Sequence, residues 1–266
     1  MRPSVMGVLN VTPDSFSDGG RYLDPEQAVA HGLELAAQGA DVVDVGGESS
    51  RPGATPVPEA EERARVVPVV EALAPHVRVS VDTVKPAVAS AALEAGATML
   101  NDISASLWPI AAEAGAGYVA MHMQGTPRTM QRDPHYREVV DEVVEFLRER
   151  AGAASEAGVT EVWVDPGIGF GKTAAHNLTL LRHLPALVDL GYPVLVGTSR
   201  KAFLGPLAAD AQGTPAPAGE RLEGSLATAV WAMAAGAAMV RVHDVRPTVE
   251  AATLVGPARV ATGGGQ

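Results

Sequence analysis

Residues 77–101, VRVSVDTVKPAVASAALEAGATMLN, hold one complete structural repeat. The apolar run VRVSV ends on Asp82, Lys85-Pro86 opens a stretch with helical spacing, and Gly96 follows that stretch by a residue. A second apolar run, ATML, then ends on Asn101-Asp102. Proline is tolerated in a first helical turn, because the N–H it lacks would have no partner there. Glycine just past a helix takes the left-handed cap without a steric penalty. Apolar runs without polar alternation fit strands buried on both faces, as in a parallel sheet. The segment predicts strand, helix, strand, with a polar residue at each strand end.

The same reading repeats along the chain. VMGVL runs into Asn10, DVVDV into Gly46-Gly47-Glu48, AGYVAM into His122, VWV into Asp165, YPVLVG towards Ser199-Arg200-Lys201, and AAMVRV into His243-Asp244. Strands are expected near 4–10, 41–45, 77–82, 97–101, 117–122, 161–165, 193–197 and 238–242. Helices are expected near 25–38, 58–74, 86–95, 107–115, 136–157, 174–189, 220–235 and 246–255. Gly39, Gly96, Gly115, Gly158, Gly191 and Gly236 are placed as helix C-caps. Eight such alternations predict an α/β fold, a single (β/α)8 TIM barrel over residues 1–258 with its active site at the C-terminal rim of the strands. Residues 259–266 read as a short disordered tail, and the Ala/Pro/Gly-rich segment 207–219 as a mobile surface excursion.

Length and composition agree. Such a barrel takes about 250 residues, and the chain has 266, of which 47% are hydrophobic. No apolar run approaches the roughly 18 residues a membrane span requires. The first strand begins so early that no signal peptide is expected. The chain has no cysteine, which excludes disulfides and thiolate metal sites and is compatible with a cytoplasmic location. A formal net charge of −11 argues against nonspecific nucleic-acid or anionic-membrane binding.

The segments after the strands carry the chemistry. Asn10–Gly20 is a long loop of turn formers with Phe16 in its middle, of the kind that closes over ligands. Gly46–Ala54 carries two hydroxyls, Ser49 and Ser50, and the Arg51 guanidinium, which suit an anion. Asp82 and Asp165, each at a strand end, need partners. Either they cap a neighbouring helix or pair with Lys201, or they read the adjacent N–H donors of an aminopyrimidinone edge, with Asn101 completing the set. Lys201 beside Arg200, Arg241 and His243 on one face of the eighth strand, and Arg51 form a cluster suited to a diphosphate. His122 is a candidate wall residue. The segment Asp165–Thr173 lacks the first glycine of a phosphate-binding P-loop, Pro166 standing there, and reads as a rim loop carrying Phe170 and Lys172.

Taken together these residues resemble the dihydropteroate synthase family of pterin-binding enzymes. The resemblance runs from Met6–Gly19 through Gly47–Ala54, Val81-Asp82-Thr83, Asn101-Asp102-Ile103, Met121–Pro127 and Thr198–Lys201 to Arg241–Val245. It implies condensation of (7,8-dihydropterin-6-yl)methyl diphosphate with 4-aminobenzoate, with Mg2+ present, in folate biosynthesis, by a homodimer of a family that is a sulfonamide target. Carried over by position, Asp82, Asn101, Ile103, Met121, Asp165, Lys201 and Arg241 would hold the pterin. Asn10, Ser50, Arg51, Arg241 and His243 would hold the diphosphate, with Asn10 a magnesium ligand. Phe16, Ser50, Arg51, Pro52, Phe170, Ser199 and Lys201 would surround the aminobenzoate. Asp82, Asp165, Lys201 and Arg51 would be catalytic. Against the family pattern, Ser50 stands where many members have Thr, the connection after Ser104 is short, and Asn10 comes early.

Three other readings use some of the same residues. A pterin-binding methyltransferase shares the Asp and Asn but has no use for Ser199-Arg200-Lys201 or the Asn10–Gly20 loop. A barrel aldolase would form a Schiff base on Lys201, detectable by borohydride trapping. A non-enzymatic pterin binder would be expected to have lost Asp14, Phe16, Arg51 or Lys201, all of which are present.

Overall fold

The computed structural model of the chain describes residues 1–12, 25–50 and 53–256. Strands and helices alternate as β1 (Ser4–Asn10), α1 (Pro25–Ala37), β2 (Val42–Gly46), α2 (Glu59–Leu73), β3 (Arg78–Asp82), α3 (Pro86–Glu94), β4 (Met99–Asp102), α4 (Trp108–Ala114), β5 (Gly117–Met121), α5 (Val139–Glu156) and β6 (Val162–Asp165). They continue as α6 (Ala174–Arg182), α7 (Pro185–Val188), β7 (Leu195–Val196), α8 (Leu204–Leu207), α9 (Leu222–Ala234), β8 (Met239–Val242) and α10 (Val245–Val255).

All strand pairs are parallel, in the order β6-β5-β4-β3-β2-β1-β8-β7. Val164 N donates to Pro193 O at 3.1 Å and Val164 bridges Val194, which joins β6 to β7 and closes the barrel. Side chains alternate across each strand. One set, including Val43, Val45, Val79, Val81 and Val240, packs with the helices in the large core. The other set, Met6, Val42, Met99, Val119, Leu195 and Met239, forms a separate cluster inside the barrel. This parity decides the site. The inward residue next above Met239 is Arg241, above Met99 is Asn101, and above Val42 is Asp44.

The six expected cap glycines all take positive φ, between 64° and 111°. The expected helix over 174–189 is instead two helices. Pro185 lacks the N–H needed to continue the backbone ladder, so α6 ends at Arg182 and α7 restarts at Pro185. The expected helix over 136–157 begins only at Val139, because Glu142 Oε1 accepts from the N–H groups of Arg137 and Glu138 and Tyr136 OH is bonded to Gly171 O. The 207–219 excursion is exposed but hydrogen-bonded, with Asp210 closing a turn onto Gln212 and Thr214. The proposed tail at 259–266 lies outside the described residues.

Candidate active site

Strand register sets the site. Asn10 is level with Gly46, Gly46 with Asp82, and Asp82 with Asn101, so the ends of β1 to β4 form one row at the barrel mouth. Arg241 reaches into it from β8. Its Nε donates to Asp44 Oδ2 at 2.6 Å and its Nη2 to Asp82 Oδ2 at 2.8 Å. Asn101 Nδ2 donates to the same Asp44 oxygen at 3.0 Å. Four strands are thereby linked by one polar cluster.

Burial pushes the Asp82 pKa up to about 7; Asp44 and Glu62 add to the rise, while Arg241 and Lys201 oppose it. Asp165, buried at the end of β6, accepts from Gly167 N at 2.7 Å. Burial pushes it up to about 6 against that hydrogen bond and the cations Lys201, Lys172 and Arg241. Lys201 is pushed down to about 8 by burial and by Arg241, with Asp165 and Asp82 opposing. Two carboxylates and a lysine in one cavity mouth thus titrate near neutrality, the condition expected where a ligand takes the place of water.

Lys201 Nζ lies 3.9 Å from the centre of the Phe170 ring. Phe170 packs in turn with Ile103, Met121 and Met130, a small apolar cluster apart from the main core. Next to it opens a cavity of about 530 Å³, bounded by Ser50, Asp82, Ile103 and Met123 among others.

Ser199 is joined to His243, the residue after β8. Its Oγ accepts from His243 N at 3.1 Å and lies 3.0 Å from His243 Nδ1. Arg200 is drawn off the cluster: its Nη2 and Nε donate to Asp244 at 2.6 and 3.1 Å. His122 is a buried group behind the wall, with Nδ1 2.9 Å from Lys172 Nζ, and burial and Lys172 push it down to about 3. Phe16, Arg51 and Pro52 lie outside the described residues.

The comparisons with known proteins agree with this geometry. The family described as "Pterin binding enzyme" matches residues 6–243. The dihydropteroate synthase of Mycobacterium leprae is 48% identical over 95% of this chain and 92% of its own. The chain belongs to the dihydropteroate synthase family. Two solved members superimpose closely. The Yersinia pestis enzyme, in complex with a sulfonamide drug, has a TM-score of 0.87 and 45% identity, covering 96% of this chain and 93% of that one. The Xanthomonas albilineans enzyme, with 4-aminobenzoic acid, has a TM-score of 0.86 and 49% identity over 95% and 92%.

Reading the sequence did not single out three supports of this family site. Asp44 lies inside the apolar run DVVDV, and only its strand parity with Val42 marks it as inward. Lys172 is no ligand-facing cation: it is 3% exposed and donates to the carbonyl oxygens of His122, Gly167 and Phe170, fixing the loop that carries Asp165 and Phe170. Gly167 has φ 63°, and a Cβ there would overlap the His122 carbonyl oxygen. Lys85 ties Glu48 of the β2–α2 segment to Glu62 of α2, and Thr83 Oγ1 also donates to Glu62, at 2.7 Å.

Proposed function

We propose that the protein catalyses the dihydropteroate synthase reaction, joining (7,8-dihydropterin-6-yl)methyl diphosphate to 4-aminobenzoate and releasing diphosphate. The observation that carries this reading is the Asp82–Asn101–Asp165–Lys201 set converging at one barrel mouth beside Arg241. Carboxylates and an amide at that spacing pair with the alternating donors and acceptors of a pterin edge, and Ile103, Met121 and Phe170 cover its face. Asp82, Asp165 and Lys201 are proposed as catalytic groups, with Arg51 of the β2–α2 segment.

The reaction begins with heterolysis of the C–O bond, the electron pair leaving with diphosphate. The pterin-methyl cation that remains is stabilised by ionised Asp82 and Asp165, in a site where burial strengthens each interaction. The aniline lone pair then forms the new C–N bond and the nitrogen loses a proton. The departing diphosphate is held by Asn10, Ser50, Arg51, Arg241 and His243. Ser50, Ser199, Lys201 and Phe170 line the aminobenzoate position, with Phe16 and Pro52 from the two rim loops. No protein nucleophile enters the sequence of steps.

Mg2+ fits the donors at β1. The Asn10 amide supplies one hard oxygen at the rim, and no cluster of three or more His, Asp or Glu side chains suited to a metal occurs among the described residues. Magnesium is commonly held by one or two protein oxygens, water and substrate phosphates, so a metal entering with the diphosphate suits this chain. When bound it supplies charge stabilisation to the leaving oxygens. A homodimer in the cytoplasm is the further expectation from the family resemblance; among the described residues no helix is long and apolar enough to cross a membrane. Residues 1–258 are proposed as one catalytic domain.

Nitrogen-15-labelled 4-aminobenzoate tests the reading. Mass spectrometry should find the label in 7,8-dihydropteroate formed by the purified protein with the pterin diphosphate and Mg2+. Recovery of both substrates unchanged would contradict it.

A further inference from the structure

Asp44 is a buried charged group that the reaction above leaves unused. It stands on the inward face of β2 between Val42 and Gly46 and is wholly buried. Oδ2 accepts from Arg241 Nε and Asn101 Nδ2, whereas Oδ1 has no hydrogen-bond partner among the described residues. The hydrophobic cluster beneath it is Met6, Val42, Met99, Val119, Leu195 and Met239, and the buried Ser80 stands level with it on β3. A carboxylate with one oxygen unpaired is costly in such a place. Replacing a buried ion pair with packed apolar side chains is often neutral or stabilising. Stability therefore does not explain Asp44, but its two partners do. Both Arg241 and Asn101 are proposed substrate contacts.

We propose that Asp44 is a positioning residue of the pterin site, fixing the Arg241 guanidinium and the orientation of the Asn101 amide from beneath the substrate. The proposal rests on the pterin reading given above. Arg241 carries its donors in a rigid fork. With Nε bound to Asp44 and Nη2 to Asp82, the plane of that fork is defined by β2 and β3 rather than by its own flexible stem. Asn101 has a donor end and an acceptor end. Its Nδ2 faces Asp44, so its carbonyl oxygen is the end presented to a ring N–H. Without a carboxylate at position 44 the amide could turn over and offer a donor where an acceptor is needed.

Asp44 also acts on Asp82 through space. The charged groups that bear on Asp82 are Arg241 from β8, Asp44 from β2, Glu62 from α2 and Lys201 from the segment after β7. Beyond burial, Asp44 and Glu62 push Asp82 up, and Arg241 and Lys201 pull it down. Removing the Asp44 charge shifts Asp82 towards lower pH.

The test compares Asp44→Asn with wild type across pH 5–9, varying each substrate. Turnover by wild type is the control on the reaction itself: an inactive wild type would refute the proposed function, whereas an active wild type isolates the role of Asp44. The KM for the pterin diphosphate should rise about tenfold, the equivalent of one disturbed charged hydrogen bond. The KM for 4-aminobenzoate should stay within about twofold, because the disturbed partners face the pterin. The acid limb of kcat/KM should move to lower pH. An unmoved acid limb, or an equal rise in both KM values, overturns the proposal. Asp44→Ser removes the same charge with a smaller polar group, as Ser80 already supplies on the neighbouring strand, so one foldable variant suffices. If neither variant folds, Asp44 is a structural residue and the proposal fails.

Discussion

Arg241 of β8 and Asp82 of β3 are joined by an Nη2–H to Oδ2 hydrogen bond of 2.8 Å, which spans the mouth of the barrel past β1 and β2. The contact opposes the effect of burial on the Asp82 carboxyl, whose pKa is still raised to about 7. It also links the two halves of the proposed chemistry, cation stabilisation and diphosphate binding. Replacing Asp82 with Asn keeps the shape and removes the charge. Turnover should fall on the order of 10²–10³-fold, the loss typical of one preorganised electrostatic group. Circular dichroism should show the fold unchanged.

The same carboxylates make the free protein less stable at higher pH. Asp82 and Asp165 have folded pKa values raised from 3.8 to about 7 and about 6. The folded state therefore binds protons more tightly than the unfolded chain between those limits, so their contribution is fully present below about pH 4 and lost as pH rises to about 7. Melting curves of Asp82→Asn at pH 8 should lie above wild type by about 2–4 °C, as when a functional charge is traded for stability. A lower melting temperature at that pH would contradict the assignment.

Activity should follow a bell in pH. The reaction as proposed uses ionised Asp82 and protonated Lys201, pushed to about 7 and about 8 respectively. The kcat/KM of the free enzyme should climb through the first value and decline above the second. A profile flat from pH 6 to pH 9 would exclude both groups from the rate.

Ser199 Oγ accepts from His243 N and lies 3.0 Å from its Nδ1, so Ser199→Ala should release that ring. The KM for the pterin diphosphate should rise by about tenfold, as for loss of one hydrogen bond to a charged group. Steady-state kinetics with each substrate varied in turn decide this, and an effect confined to 4-aminobenzoate would show that Ser199 serves that substrate and does not act through His243.

Lys172 is a structural cation. Lys172→Met would leave the carbonyl oxygens of His122, Gly167 and Phe170 buried and without this donor. The cost should be about 3 kcal/mol in urea unfolding. A change under about 0.5 kcal/mol, typical of surface positions, would show that the loop holds itself.

The barrel was legible because each apolar run ends on a polar residue at the same end, and glycines follow the helices at a constant interval. Asp82, Asn101, Asp165, Lys201 and Arg241 stood out for that reason. Asp44 did not, since a single charge within DVVDV reads as an interruption until the inward parity of β2 is known. Lys172 was placed on a rim loop without a role, because the three backbone carbonyls it binds there are brought together only by the fold. The break at Pro185 was present in the sequence, but the apolar periodicity of 174–189 continues across it. Ile103 and Met121 came only from family resemblance, because one aliphatic residue at a strand end does not distinguish a wall from a core.

Diphosphate release tests the central claim most directly. Purified protein is incubated with (7,8-dihydropterin-6-yl)methyl diphosphate, 4-aminobenzoate and Mg2+, and each is then omitted in turn. Release matched by dihydropteroate formation and lost with any omission is the predicted result. Tight pterin binding with no diphosphate released under the complete conditions would contradict the account.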